Sequence, residues 1–359
     1  MRIAIVTDAW HPQVNGVVTT LSRTVALLRE ADHEVMVVNP WMFKTFPCPT
    51  YPEIRLSLFP GRKIKETLSF FAPDAIHIAT EGFLGWSARA YCLKNGLRFT
   101  TSYHTRFPEY VRLRAPIPLC LTYACMRRFH AKAVRTMVAT EDLKEELSQY
   151  GFQNLALWSR GVDTEIFKPR SKDFLEDKRP IYMYVGRVAL EKNIEEYLKA
   201  DLNGTKYVIG DGPALKEMRT KYPQVRFTGY KKGVELAKHL AASDVFVFPS
   251  RTDTFGLVML EALACGIPVA AYPVPGPNNI IRHGVTGILG EDLQKAANEA
   301  LQLDSKQCRS FVEEFSWKRC TSQFFNNLYF PAARKSSVDI ANTVLQMAPA
   351  RCGKAAGRQ

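Results

Sequence analysis

Short apolar runs alternate with amphipathic helical stretches along this chain, and the alternation occurs twice. Ile3–Thr7, Glu34–Val38, Ala75–Ile78, Phe99–Ser102 and Thr136–Ala139 form the first series of strand-like runs. Between the first two, Val18, Leu21, Val25 and Leu28 recur at helical spacing. Strands that alternate with helices imply a parallel sheet with helices on both faces. After Gly161 to Pro169 and the charged stretch Arg170 to Arg179, the pattern restarts. Its strands are expected at Ile181–Val185, Lys206–Ile209, Gln224–Phe227, Val245–Phe248 and Pro268–Ala271. Its helices are expected at Asn193–Ala200, Ala214–Lys221, Val234–Ala242 and Phe255–Ala264. A terminal amphipathic helix over Phe315–Leu328 carries Trp317, Phe324 and Leu328 on one stripe. The expected class is α/β, with two Rossmann-like doubly wound parallel-sheet domains and a cleft between them. A length of 359 residues suits two such domains. The expected divisions are 1–168, 169–314, a terminal helix at 315–330 and a basic tail at 331–359, mobile from 345 onward.

Ligands of such folds lie at the carboxyl ends of the strands. Attention therefore falls on the segment from Pro249 to Val269. A strand ends in Pro249-Ser250, a polar turn carries Asp253, and a helix starts at about Phe255. A helix N-terminus offers unpaired N–H groups and a positive dipole end, which suit a diphosphate. Asp253 on the entering loop and Glu261 two turns in lie on the same side. One carboxylate can face a sugar while the other accepts from ribose hydroxyls. Taken alone, Asp253 also reads as a helix cap. Glu261 is a poor solvated residue, because Leu260, Ala262, Leu263 and Ala264 surround it.

The segment Ser250…Asp253-Thr254-Phe255-Gly256-Leu257…Glu261-Ala262…Gly266-Ile267-Pro268-Val269 resembles the retaining nucleotide-sugar glycosyltransferases of the GT-B fold, family 4. Their signature holds two glutamates separated by seven residues; here Asp253 stands at the first. The resemblance assigns donor binding to Asp253, Thr254, Phe255, Gly256, Leu257 and Glu261. Gly186-Arg187-Val188-Ala189-Leu190-Glu191-Lys192 is similar to the family's donor-phosphate element, in which Arg187 and Lys192 neutralise the leaving diphosphate. Without that context the two cations also read as surface salt-bridge partners. The loop Thr7 to Val18 resembles the one whose glycine, Gly16, lets backbone approach sugar and phosphate. It lacks the dinucleotide pattern of glycines, which disfavours a nicotinamide cofactor. His104, in Ser102-Tyr103-His104-Thr105, resembles the active-site histidine beside the donor sugar, and with Asp253 is the expected catalytic pair. Glu81 and Arg106 are the expected acceptor-side residues. Ser159-Arg160-Gly161-Val162-Asp163 resembles the interdomain segment, and Phe315-Ser316-Trp317 the start of a helix that crosses back to the first domain. No Asp-x-Asp pair occurs, so transfer is expected to use no metal and no cofactor beyond the nucleotide sugar. UDP-glucose, UDP-glucuronate and GDP-mannose remain open as donors.

The net charge of +13 decides what else to expect. Residues 89–135 carry a net +9 and residues 331–359 a net +4. Such a balance asks for an anionic partner. No nucleic-acid module is recognisable, so nucleic acid is not expected. Leu119 to His130 is apolar and then cationic, in the manner of an interfacial helix. Within the family the resemblance is to bacterial lipid glycosyltransferases and GDP-mannose-dependent mannosyltransferases, carried by Val14 to Val18, Pro47 to Leu56, Ala79 to Gly82 and Tyr103 to Tyr110. The expectation is a peripheral enzyme at the cytoplasmic face, with 89–135 on an anionic membrane and a diacylglycerol-type lipid as acceptor. The chain opens on a strand rather than an export signal, and its eight cysteines form no Cys-x-x-Cys pair. Three alternatives stay open: a mannosyltransferase acting on another glycolipid or a soluble acceptor, a nucleotide-sugar 2-epimerase, and a non-catalytic sugar-nucleotide or nucleic-acid binding protein.

Overall fold

The computed structural model describes residues 1–48, 54–112 and 115–331. All of the expected basic tail except Pro331, together with Arg114 and the stretch Pro49 to Glu53, lies outside the described residues. The first series of elements is β1 (Arg2–Val6), α1 (Gly16–Glu30), β2 (Glu34–Val38), β3 (Thr45–Pro47), β4 (Arg55–Ser57), α2 (Gly61–Phe71), β5 (Ala75–Ile78) and α3 (Phe83–Lys94). It continues with β6 (Thr100–Ser102), α4 (Phe107–Arg112), α5 (Leu119–His130), β7 (Thr136–Val138), α6 (Glu141–Gln149) and β8 (Leu155–Leu157). Six of these strands form one parallel sheet in the order β2-β1-β5-β6-β7-β8; β3 and β4 make a separate antiparallel hairpin.

The second series is β9 (Ile181–Val185), α7 (Ile194–Lys199), β10 (Thr205–Ile209), α8 (Leu215–Lys221), β11 (Arg226–Gly229), α9 (Gly233–Ala242) and β12 (Val245–Phe248). It ends with α10 (Leu257–Ala264), β13 (Val269–Ala271), α11 (Pro275–Asn278), β14 (Gly287–Leu289), α12 (Leu293–Ala300), α13 (Ser305–Val312) and α14 (Trp317–Asn327). Its sheet is also six-stranded and parallel, in the order β11-β10-β9-β12-β13-β14.

Both sheets are buried on both faces, which is why their strands read as continuous apolar runs. In β1, Ile3 and Ile5 face α1 and α14, while Ala4 and Val6 face α2 and α3. In β9, Ile181 and Met183 face α9 and α10, while Tyr182 and Tyr184 face α7 and α12. The last helix thus completes the first core: Cys320, Phe324 and Phe325 are fully buried against Leu21, Val25 and Leu28 of α1. Asn15 starts α1 by accepting from the Val18 amide at 3.0 Å, and Ser316 does the same for α14 from the Arg319 amide at 3.2 Å.

The sequence expectation missed β3, β4, β8 and β14 and misplaced the start of α10. The edge strands β8 and β14 and the hairpin β3–β4 are each three residues per strand, too short to show a period. Helix α10 begins at Leu257 rather than Phe255, because Gly256 sits at φ 88°, a left-handed conformation that breaks the helix upstream.

In each sheet the chain order reverses once, between β1 and β5 and between β9 and β12. Crevices at the carboxyl ends of strands open at such reversals. The loops that leave these four strands carry Gly16, Glu81, Arg187 and Asp253.

Candidate functional site

On the side of the second domain, the loops after β9 and β10 are zipped together. Val188 N–H donates to Asp211 O at 3.0 Å and Ala214 N–H to Val188 O at 3.0 Å. A Cβ at Gly210 would lie 1.9 Å from Gly186 O, so the approach demands glycine there. This pairing fixes the turn that presents Arg187 and Lys192. Lys192 meets Asp253, 61 positions away in sequence, with Nζ–Oδ1 at 2.5 Å. The lysine's ammonium is stabilised accordingly: burial works against its charge, but Asp253 and Tyr110 more than offset that and raise its pKa. Asp253 Oδ2 is buried and has no hydrogen-bond partner among the described residues. Asp253 is therefore not a helix cap. It is one half of a cleft ion pair with a carboxylate oxygen left over.

Glu261 lies in the second turn of α10, and no hydrogen bond or ion pair to its carboxylate occurs among the described residues. Burial alone pushes its pKa up to about 8. A carboxyl held this way has an unmet demand for hydrogen-bond donors when it ionises. Thr254 Oγ1 donates across the cleft to His104 O at 2.8 Å. Leu257 stands against Gly16: a Cβ on Gly16 would be 3.5 Å from Leu257 Cδ1. Phe255 corrects an expectation. Its side chain is buried in the second core and packs on Phe315, so only its backbone can face a ligand.

On the side of the first domain, His104 is buried with both ring nitrogens engaged. Arg160 Nη2 donates to Nδ1 at 3.1 Å, which leaves the proton of the neutral ring on Nε2, 2.8 Å from Ser102 Oγ. Burial first, then the charges of Arg160, His77 and His130, hold its pKa well below the usual value. The ring was expected to reach the donor sugar directly. In this arrangement its nitrogens turn into the first domain, and its carbonyl makes the contact across the cleft. The expected acceptor-side residues are also internally engaged. Glu81 accepts from His130 Nε2 at 3.1 Å, and Arg106 is clamped by both carboxylate oxygens of Glu146.

Three residues of the site had no role assigned from sequence. Tyr110, on α4, crosses from the first domain to the second, where its hydroxyl bonds Thr252 and lies in the field of Lys192 and Asp253. Arg160 is buried over the Trp158 ring and orients His104. Asp8, at the end of β1, accepts from the amides of Leu84 at 3.0 Å and Gly85 at 3.4 Å and so anchors α3 beside the cleft. In sequence Arg160 was read only as part of the interdomain segment, Tyr110 only within the stretch Tyr103 to Tyr110, and Asp8 only within the loop Thr7 to Val18.

The basic segment 89–135 is less free than its count implied. Arg89 donates to Phe129 O and Arg128 O, Arg127 to Tyr150 O, and Arg135 to Asn327 O. Arg98 lies over the Tyr329 ring, and Arg106 pairs with Glu146. Five of its ten cations are thus occupied within the chain, four of them by carbonyls or a carboxylate. Among the described residues no helix is long and apolar enough to cross a membrane, and no three His, Cys, Asp or Glu side chains gather as a metal-holding group.

Two parallel six-stranded domains, with cations and carboxylates converging from the strand ends on a shared cleft, are the arrangement expected of the GT-B type. Residues 14–166 match the family model Glycosyltransferase Family 4, and residues 166–313 match Glycosyl transferases group 1. The chain is 30% identical to sulfoquinovosyl transferase SQD2 of Arabidopsis thaliana over 92% of its own length and 74% of that protein's. It is 30% identical to alpha-monoglucosyldiacylglycerol synthase of Streptococcus pneumoniae over 84% and 78% of the two lengths. The fold is similar to sucrose-phosphate synthase of Thermosynechococcus elongatus, with TM-score 0.70, 21% identity and coverage of 90% and 97%. The chain belongs to glycosyltransferase family 4.

Proposed function

We propose that this glycosyltransferase moves a hexose, with retention of configuration and without a metal ion, from a nucleoside-diphosphate sugar to a hydroxyl of a membrane lipid of the diacylglycerol type. The observation that carries the donor half is the convergence of Lys192, Asp253 and the unpartnered Glu261 carboxylate at one strand-order reversal. Arg187, Lys192 and the N-terminus of α10 would take the diphosphate, and Glu261 the ribose. Asp253 would take a sugar hydroxyl on the oxygen that has no partner. The bond from the sugar's anomeric carbon to the β-phosphate oxygen breaks, and the bond to the acceptor oxygen forms on the same face. The acceptor's proton passes to the departing phosphate oxygen, so no protein base is required. His104 acts as a positioning residue: it is neutral, fixed by Ser102 and Arg160, and tied through its carbonyl to Thr254. Domain closure supplies proximity and excludes water.

The lipid half rests on the diacylglycerol-linked relative from Streptococcus pneumoniae and on an apolar rim described below. On this reading the enzyme works peripherally at the cytoplasmic face of a membrane. The test is nucleotide release from UDP-glucose, UDP-glucuronate and GDP-mannose, with and without diacylglycerol, and NMR assignment of the product anomer. Acceptor-dependent release and an α-linked lipid product are expected, and Glu261→Ala or Arg187→Ala should abolish turnover while the fold survives. Donor conversion without acceptor would replace this reading by an epimerase, and donor binding without release by a non-catalytic binder.

A further inference from the structure

Three exposed aromatic side chains lie on one edge of the first domain, whereas Phe70, 91% exposed, lies at the far end of α2. Phe59 is 95% exposed, Trp41 61% and Phe83 49%. They come from different segments but share one address. Trp41 follows the carboxyl end of β2, and Phe83 follows the carboxyl end of β5. Phe59 precedes α2, which runs back toward the start of β5, so its N-terminus also lies at the carboxyl edge. The hairpin joins the members: the rings of Phe46 and Phe83 are 6.5 Å apart, and Leu58 N–H bonds Lys44 O at 2.8 Å. Trp41 is tied by its indole N–H to His11 O, in the loop that leads to Gly16. The patch therefore rims the same edge at which the cleft opens.

Two further features argue against a chance exposure. Phe59 has φ 43°, a left-handed conformation that is an outlier for a bulky residue, and it holds the ring out into solvent. The exposed face of α2 beside it carries Arg62, Lys63 and Lys65 against a single acid, Glu66, which pairs with Arg62 at 2.9 Å. Lys63 Nζ lies 5.7 Å from the Phe43 ring centroid, so cation and aromatic are neighbours. Aromatic tips surrounded by Lys and Arg match an anionic lipid surface: rings enter the headgroup layer while ammonium and guanidinium groups meet phosphates. An acidic protein would match the charge but would leave Phe59 without a complementary apolar pocket of its own.

We propose that this rim, centred on Phe59 and Trp41 with the cationic face of α2, docks the enzyme on an anionic bilayer and so sets the cleft mouth against the membrane. The proposal rests on the lipid-acceptor reading, and it moves the membrane contact from segment 89–135 to Trp41, Phe59, Phe83 and the α2 cations Lys63 and Lys65. Docking at that edge lets a lipid hydroxyl enter the cleft without leaving the bilayer.

The test is sedimentation of the full chain with vesicles of phosphatidylcholine, with and without about one-third phosphatidylglycerol. Wild type should bind the anionic vesicles, and added salt should weaken binding. Phe59→Ser with Trp41→Ser should weaken it about tenfold or more, and Lys63→Glu with Lys65→Glu similarly. The same variants should keep wild-type turnover on a short-chain, water-dispersed diacylglycerol, which shows that fold and cleft are intact. Unchanged vesicle binding in both pairs overturns the docking site, while lipid glycosylation by those variants leaves the acceptor reading standing. Rim-dependent binding by an enzyme that glycosylates only soluble acceptors supports the docking site and overturns the acceptor reading. Concentration-dependent dimerisation that the Phe59 variant abolishes, with no vesicle binding by wild type, overturns the docking proposal in favour of a second copy of the chain.

Discussion

Donor binding should release a proton, and Glu261 should be its source. Burial raises this carboxyl to about 8, and no basic side chain or hydroxyl offsets that among the described residues. With such a pKa the free enzyme holds about 0.9 proton on Glu261 at pH 7. Two ribose hydroxyls donating to the carboxylate favour its charged form and return the pKa toward the ordinary carboxylate range. Binding then releases about 0.9 proton per donor at pH 7. Linkage fixes the sign: affinity rises with pH, by about tenfold between pH 6 and 7, and levels off above about pH 8. The assay is calorimetric titration with a non-hydrolysable donor analogue in phosphate and in Tris, whose ionisation enthalpies differ. The apparent enthalpy should differ between the buffers in proportion to the proton released. Glu261→Gln should bind more weakly and abolish the buffer dependence. Stability gives an independent check. A carboxyl whose pKa is raised on folding contributes stability below about pH 4.5 that is lost as pH rises through 8. Glu261→Gln should therefore match wild type in melting temperature at pH 4.5 and exceed it at pH 9. Equal enthalpies in both buffers, or proton release that survives in Glu261→Gln, would refute the reasoning.

Two other expectations follow from buried partners. Arg160→Gln removes a charge that helps keep His104 neutral, so the kcat–pH profile should gain an acid-side fall absent from wild type, while Arg160→Lys should retain the wild-type shape; an unchanged profile in Arg160→Gln counts against the orienting role. Phe324→Ala empties a fully buried site shared by α14 and β1 and should cost about 3–5 kcal/mol, with urea unfolding showing the first domain melting before the second; coincident loss of both would mean that the two cores unfold as one.

Much of the fold was legible because its strands are buried on both faces. Glu34–Val38, Ala75–Ile78, Ile181–Val185 and Val245–Phe248 are where their apolar runs placed them. The short edge strands β8 and β14 and the hairpin were not: three residues show neither a period nor a continuous apolar run of strand length, those of β8 and β3 are half-buried or exposed, and Pro47 argues against a strand. The site was legible where a function sits on one loop, as at Pro249 to Glu261. It was not legible where function is a relation between loops. The Lys192–Asp253 pair spans 61 positions, and Tyr110 acts on residues of the other domain. Charge counting misled for the same reason. Arg89 and Arg135 look like free cations in a list, but each is spent on carbonyls of α5 or α14.

The placement of the last helix explains how a cleft between two separately packed domains is kept narrow. The chain passes between domains twice, at 158–180 and at 313–317, and the two passages lie side by side. Val162 N–H donates to Phe315 O at 2.9 Å, and Val162 pairs with Ser316. A Cβ on Gly161 would be 2.5 Å from Trp317 N, so the contact admits no side chain. Joined there, the two domains are held together beside the cleft, since Arg160 of the first passage bonds His104. Among the described residues, contacts across the cleft include the Thr254 hydroxyl on His104 O, Tyr110 on Thr252, and Leu257 against Gly16. Opening the cleft to admit a donor would break these contacts and expose the Lys192–Asp253 pair. A diphosphate bound at Lys192 and a sugar bound at Asp253 would replace those cross-cleft contacts with their own. Donor binding and closure would then be coupled, which ties the exclusion of water to the presence of the group to be transferred.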